Sequence, residues 1–142
     1  MKDRIFETKE YLKSVKAIQI KLQYEFEKLE MLESLKYRVP GGTPTRERVQ
    51  ESRRTDYLER TVFKIIEGQK KINKRVNEYM AEIEKVERFI DNIKQEEYRQ
   101  IMRDRYILNH KFEEIAVKNH YELSWVYRVH RNCIDFLSKI KR

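Results

Sequence analysis

Residues 112–137, FEEIAVKNHYELSWVYRVHRNCIDFL, carry the spacing of two short helices joined by a tight turn. Ile115 and Ala116 stand one turn before the bend, Tyr121 falls within it, and Val126 and Val129 follow at helical spacing. Helices crossing steeply over so short a turn need a small residue where the backbones approach, and Ala116 supplies it. This is the pattern of a helix-turn-helix, and it predicts contact with double-stranded DNA. Beside its inward Val126 and Val129 stripe, the second helix turns Ser124, Trp125, Tyr127, Arg128 and Arg131 outward, where a major groove would accept them. Lys111, which opens the first helix, joins these as a candidate DNA contact. Arginine suits the role because its guanidinium can donate two bonds to guanine O6 and N7. The plainer reading of Arg128 and Arg131 is a solvated helix face. Trp125, the single tryptophan, fits a thymine methyl or sugar, and fits equally well against its own unit or a partner.

Upstream, Tyr98, Ile101, Met102, Arg105 and Tyr106 have the spacing of a further helix, and Asn109-His110 reads as the turn after it. Helices at about 96–107, 111–119 and 123–140 then make a three-helix unit. Its expected core is Ile101, Met102, Tyr106, Phe112, Ile115, Ala116, Val126, Val129, Cys133 and Leu137.

The clearest break lies earlier, where Pro40, Gly41, Gly42 and Pro44 crowd together. It opens a polar stretch read as a loop over about 38–55, and Arg46, Arg48, Arg53 and Arg54 there would serve as a phosphate-reaching arm or as a solvated segment. Before it, Leu12, Val15, Leu22, Phe26 and Leu29 form a helical seam, which Ile18, Leu32 and Leu35 widen. After it, Leu58, Ile65, Ile72, Tyr79, Val86 and Ile93 repeat every seventh residue, interleaved with Val62, Gln69, Val76, Ile83 and Ile90. Sustained heptads predict a coiled coil, and about 38 residues of such helix would extend roughly 57 Å. Thr55 is the expected N-cap. Gln69 at a seam position suits either a register-fixing role or a tolerated polar contact, and Gly68 marks a weak point in the helix. The fold class expected is all-α: a long N-terminal antiparallel coiled-coil hairpin over 1–95, then a three-helix helix-turn-helix domain over 96–142. The seams predict a homo-oligomer through the coiled coil, since a two-helix hairpin shields only one stripe of each helix.

Charge favours the same end of the chain. The net charge is +8 over 142 residues. Residues 98–142 hold 10 Lys and Arg against 5 Asp and Glu, and residues 1–97 hold 22 against 19. The basic excess is densest where the paired helices lie, which favours a polyanionic partner. Cys133 is alone, so no disulfide or cysteine-based zinc site is expected and a reducing, cytoplasmic setting is. His110, His120 and His130 fall on two turns and a mid-helix position, which need not converge on a metal. No apolar run is long enough to span a bilayer, so no membrane partner is expected. Neighbouring acids such as Glu96-Glu97 and Glu113-Glu114 diverge around a helix and offer no catalytic dyad. With no phosphate loop, nucleophile elbow or metalloprotease motif, the chain reads as neither an enzyme nor a cofactor binder.

The run RDRYILNHKFEEIAVKNHYELSWVYRVHRNCIDFL, above all Arg105-Tyr106, Phe112-Glu113-Glu114-Ile115-Ala116 and Val126-Tyr127-Arg128-Val129-His130, resembles region 4 of the sigma-70 family. It is more similar still to phage-encoded sigma-70 region 4-like transcriptional regulators of the ArpU and RinA type. The resemblance covers roughly the last 45 residues, and the N-terminal part only by arrangement. It implies sequence-specific DNA binding by the second helix and control of phage or prophage genes in the cytoplasm of a bacterial host. Asn119, His120 and Glu122 depart from the family pattern, which has an apolar residue, often glycine, and a capping serine at those places. Asn and His tolerate the left-handed conformation that such a turn uses. Heptads stand where a full sigma factor has its promoter-melting region, so the resemblance implies an accessory regulator. The alternative it leaves is a coiled-coil interaction module that docks on RNA polymerase or another regulator without reading DNA directly.

Overall fold

A computed structural model of the chain describes residues 2–38 and 47–140. Among these residues every regular element is helical: α1 (Lys2–Leu12), α2 (Ser14–Lys36), α3 (Glu47–Ile90), α4 (Glu96–Tyr106), α5 (Phe112–Asn119) and α6 (Leu123–Ser138). None is long and apolar enough to cross a membrane. The Pro-Gly break lies outside the described residues, as do Arg46 and the side chain of Arg48.

Where the sequence predicts loop to residue 55, helix α3 has already begun at Glu47. The stretch from Thr45 to Glu67 contains no glycine or proline, and its Glu, Gln and Arg are strong helix formers. Over residues 51–56, all exposed, the missing apolar stripe therefore marks a solvated helix rather than a loop. Thr55 is accordingly not an N-cap. It lies within α3 and its Oγ1 donates to the Glu51 carbonyl at 2.9 Å, the back-bond by which threonine is accommodated inside helices.

The chain divides into two compact units, one of Met1–Gln19 with Glu78–Arg142 and the other of Ile20–Asn77. The boundary expected at 95 is thus replaced by a discontinuous one, in which the first nineteen residues and the end of α3 join the three C-terminal helices.

In the first unit a single core gathers Leu12 and Val15 from α1 and α2, Val86, Phe89 and Ile90 from α3, and Ile93 beyond it. From α4, α5 and α6 it gathers the ten residues expected from the sequence, with Phe112 at its edge, and Ile134 in addition. Ile5, Thr8, Leu12 and Val15 recur at intervals of three and four, so one stripe faces inward across both helices. The break at Lys13 is slight, because Lys13 N–H still bonds the Lys9 carbonyl at 3.0 Å and Ala17 N–H the Lys13 carbonyl at 3.2 Å. Burying Leu12 fully is worth about 1.5–3 kcal/mol, against about 0–1 for an exposed ion pair such as Lys13 with Glu10. Apolar burial is what holds α1 here. Tyr11 meets Phe89 edge-on at 5.0 Å, and Ser14 Oγ donates to Glu82 Oε2 at 2.8 Å. Arg103 pairs with Asp91 at 2.9 Å, joining α4 to the residues just after α3.

In the second unit α2 and α3 run antiparallel. Tyr57 Oη donates to the Leu35 carbonyl at 2.7 Å, and further along the Gly68 backbone faces Leu29. Leu32, Thr61, Ile65 and Ile72 are buried between them. The first heptad series is the inward one. Val62 and Gln69 of the interleaved series are exposed, so within one chain Gln69 occupies no seam.

Candidate functional site

The segment from α5 to α6 is set by its turn. His120 adopts the left-handed conformation at φ 60°, its N–H bonds the Val117 carbonyl at 3.3 Å, and the Tyr121 N–H bonds the Ala116 carbonyl at 2.9 Å. This paired closure satisfies carbonyls that a helix end leaves open, usually with glycine at the left-handed place. Histidine takes it here. Three residues, His120, Tyr121 and Glu122, then separate the helices, and Ala116 is buried. Asn109 is likewise left-handed, at φ 59°, after α4, where the His110 N–H reaches back to the Asp104 carbonyl at 2.9 Å.

Asn119, unlike the apolar residue of the resembling family, has a polar task. Asp104 on α4 is fully buried, and its carboxylate accepts from Gln100 Nε2 at 2.9 Å, Lys118 Nζ at 3.0 Å and Asn119 Nδ2 at 3.2 Å. Asn119 Nδ2 also donates to the Ile115 carbonyl at 2.9 Å. A buried carboxylate needs such partners, and here they clamp the end of α5 onto α4. Sequence spacing gave no sign of this cluster, because its partners lie 14 and 15 residues apart on different helices.

Behind α6 lies an aromatic group. Tyr106 Oη and His130 Nε2 stand 2.6 Å apart, Phe112 meets the His130 ring at 4.9 Å, and the Arg105 guanidinium lies 4.2 Å above Phe112. Burial pushes His130 down to about 4, helped by the charges of Lys9 and Arg105, so it is neutral at neutral pH. Burial likewise pushes the Tyr106 hydroxyl up to about 12, with Arg105 opposing the rise. Cys133 is buried in the core, and its thiol is pushed up to about 12 by the same cause. These groups brace α6 from within.

On the outward side, Ser124, Arg128 and Arg131 lie at intervals of four and three on α6 and are all exposed, so they share one face. Neither arginine has a hydrogen-bond or ion-pair partner among the described residues. Tyr127 stands at the edge of that face, 40% exposed, its ring 5.1 Å from Phe112 and its hydroxyl 3.4 Å from Glu113 Oε1. Lys111 is exposed at the N-cap of α5. Trp125 is placed differently from the others: half-buried, it packs on Tyr121 at 4.5 Å and Tyr98 at 6.1 Å. Its rings contribute to the unit's own packing. Asp135 continues the face of Arg128 and Arg131 and brings a carboxylate to its far end.

Among the described residues no three His, Cys, Asp or Glu side chains converge to hold a metal ion. Comparison with family models, with curated proteins and with solved structures finds no match for this chain.

Proposed function

We propose that this chain is a sequence-specific DNA-binding regulator of transcription, in which α5 and α6 form a helix-turn-helix that places α6 in the major groove. The hairpin of α2 and α3 acts as a coiled coil that brings two copies together. One observation carries the reading: two arginines, Arg128 and Arg131, stand exposed and unpaired with Ser124 on one face of a helix that follows a three-residue turn. Unpaired guanidinium groups on a braced helix are available to base edges and phosphates at little reorganisation cost. The net positive charge favours association with a polyanion. The resemblance to region 4 of sigma-70 points the regulation toward phage or prophage genes.

Selection of bound fragments from a random duplex pool would identify the target. On that target Arg128→Ala should weaken binding by about 1–3 kcal/mol and relax preference at one position. Binding of the wild-type chain that ignores salt, or an Arg128→Ala variant that keeps full affinity and preference, would overturn the proposal.

A second reading rests on Val117, an apolar residue 77% exposed on α5. An apolar side chain that open suits a protein surface such as RNA polymerase. Polymerase capture that survives neutralising Arg128 and Arg131, with promoter occupancy also unchanged, would favour it over DNA reading.

A further inference from the structure

The first helix adds a surface that the helix-turn-helix pattern does not contain. A B-form major groove is about 12 Å wide, and one helix with its side chains, about 10–12 Å across, fills it. Packed helices stand about 8–10 Å apart, so a helix lying against α6 cannot enter the groove with it. It lies either behind α6 or beside the groove, where the phosphates are, and the side of α6 on which it packs decides which.

Helix α1 is such a neighbour, packing against α6 within one unit. Between them is an open cleft of about 370 Å³, to which α1 contributes Ile5 and Lys9 and α6 contributes Tyr127, His130 and Arg131. Helix α5 lies on the same flank, since its Phe112 packs on both Tyr127 and His130. In docked helix-turn-helix proteins the first helix crosses the DNA backbone, so α1 shares the side that faces phosphate.

We propose that Lys9 contacts a backbone phosphate of duplex DNA, seated in the cleft between α1 and α6 with Arg131 on its other side. This rests on the DNA-binding reading above and extends its interface to the first helix of the chain. Lys9 has no side-chain ion pair among the described residues, and Ile5 one turn earlier supports its aliphatic stem. His130, at the base of the cleft, stays neutral and so adds no charge of its own. Asp135 is the one carboxylate lining the cleft, and Arg131 one turn before it offsets its repulsion. The exposed acids on α1, Asp3, Glu7 and Glu10, do not line it.

The test is a fluorescence-anisotropy titration of the full chain against its selected duplex and a scrambled duplex over a series of salt concentrations. Lys9→Ala should make the slope of log K against log salt shallower by about 0.9, a loss of about eightfold at 0.1 M salt. The loss should be equal on both duplexes, because a phosphate contact reads no base, and Lys9→Arg should restore it. Lys13→Ala, on an exposed lysine outside the cleft, should leave the slope unchanged. Wild-type binding whose slope Lys9→Ala does not alter, with thermal stability intact, overturns this inference alone. An equal effect from Lys13→Ala overturns it too, by reducing it to general charge. Absence of salt-sensitive binding by the wild type overturns both it and the DNA-binding reading. If Lys9→Ala lowers the thermal midpoint, Lys9→Gln, which keeps most of the stem, carries the same expectation.

Discussion

Asp104 accepts from Lys118 and Asn119 on α5 and from Gln100 on its own helix, and its removal takes an acceptor from each. Lys118 keeps access to water, being 44% exposed, so the cost falls on the half-buried Gln100 and Asn119. Asp104→Ala should destabilise the chain by about 2–4 kcal/mol, read as a shift in the urea unfolding midpoint. A shift corresponding to less than about 0.5 kcal/mol, the scatter of ordinary surface changes, would mean that the clamp contributes nothing. His130 gives a second residue-level expectation. Its folded value of about 4 lies below the ordinary 6.5, so between those limits the unfolded chain binds the extra proton. Its contribution is therefore fully present above pH 6.5 and lost as pH falls toward 4, by up to about 3 kcal/mol. His130→Gln should flatten that part of the stability profile, and an unchanged profile would place the acid sensitivity elsewhere. The sequence places His130 at a mid-helix position, but neither its burial nor the partners of Asp104 are legible there. Charge and burial at both come from helices that meet only in the folded chain.

The three C-terminal helices were readable nearly to the residue, 96–107, 111–119 and 123–140 against Glu96–Tyr106, Phe112–Asn119 and Leu123–Ser138. Their apolar spacing and their turns at Asn109 and His120 are local signals, and local signals survive folding. The start of α3 is not legible as helix from periodicity, because residues 51–56 are exposed all round and carry no apolar stripe. Within that helix Gly68 costs propensity without a visible steric return. A Cβ there would meet Leu29 Cδ1 at 3.4 Å, an ordinary contact. Gly68→Ala should therefore stabilise the hairpin by about 0.5–1 kcal/mol, seen as a higher thermal midpoint. Destabilisation would show that the close approach of α2 cannot relax by even a few tenths of an ångström.

At the scale of the whole chain, large apolar side chains stay uncovered in both units. In the Ile20–Asn77 unit, Ile20, Tyr24 and Met31 on α2 and Phe63 and Ile66 on α3 are exposed, more apolar surface than a two-helix hairpin can shelter. The proposed second copy would cover it. Light scattering of the chain should give at least twice its 17.6 kDa mass, and Tyr24→Glu with Ile66→Glu should return it to the monomer. A monomer at all concentrations in the wild type would sink the expectation. Sequence by itself determined that the chain is helical, where three of its helices begin and end, and that Ser124, Arg128 and Arg131 of α6 share an outward face. Those follow from periodicity, turn chemistry and backbone preference, which act over a few residues. Tertiary structure decided that the first nineteen residues join the C-terminal unit, that Trp125 turns toward Tyr98 and Tyr121, and that Asp104 meets Lys118 and Asn119. An apolar stripe states that a helix face must be buried, but its partner is chosen by packing among segments far apart in the chain.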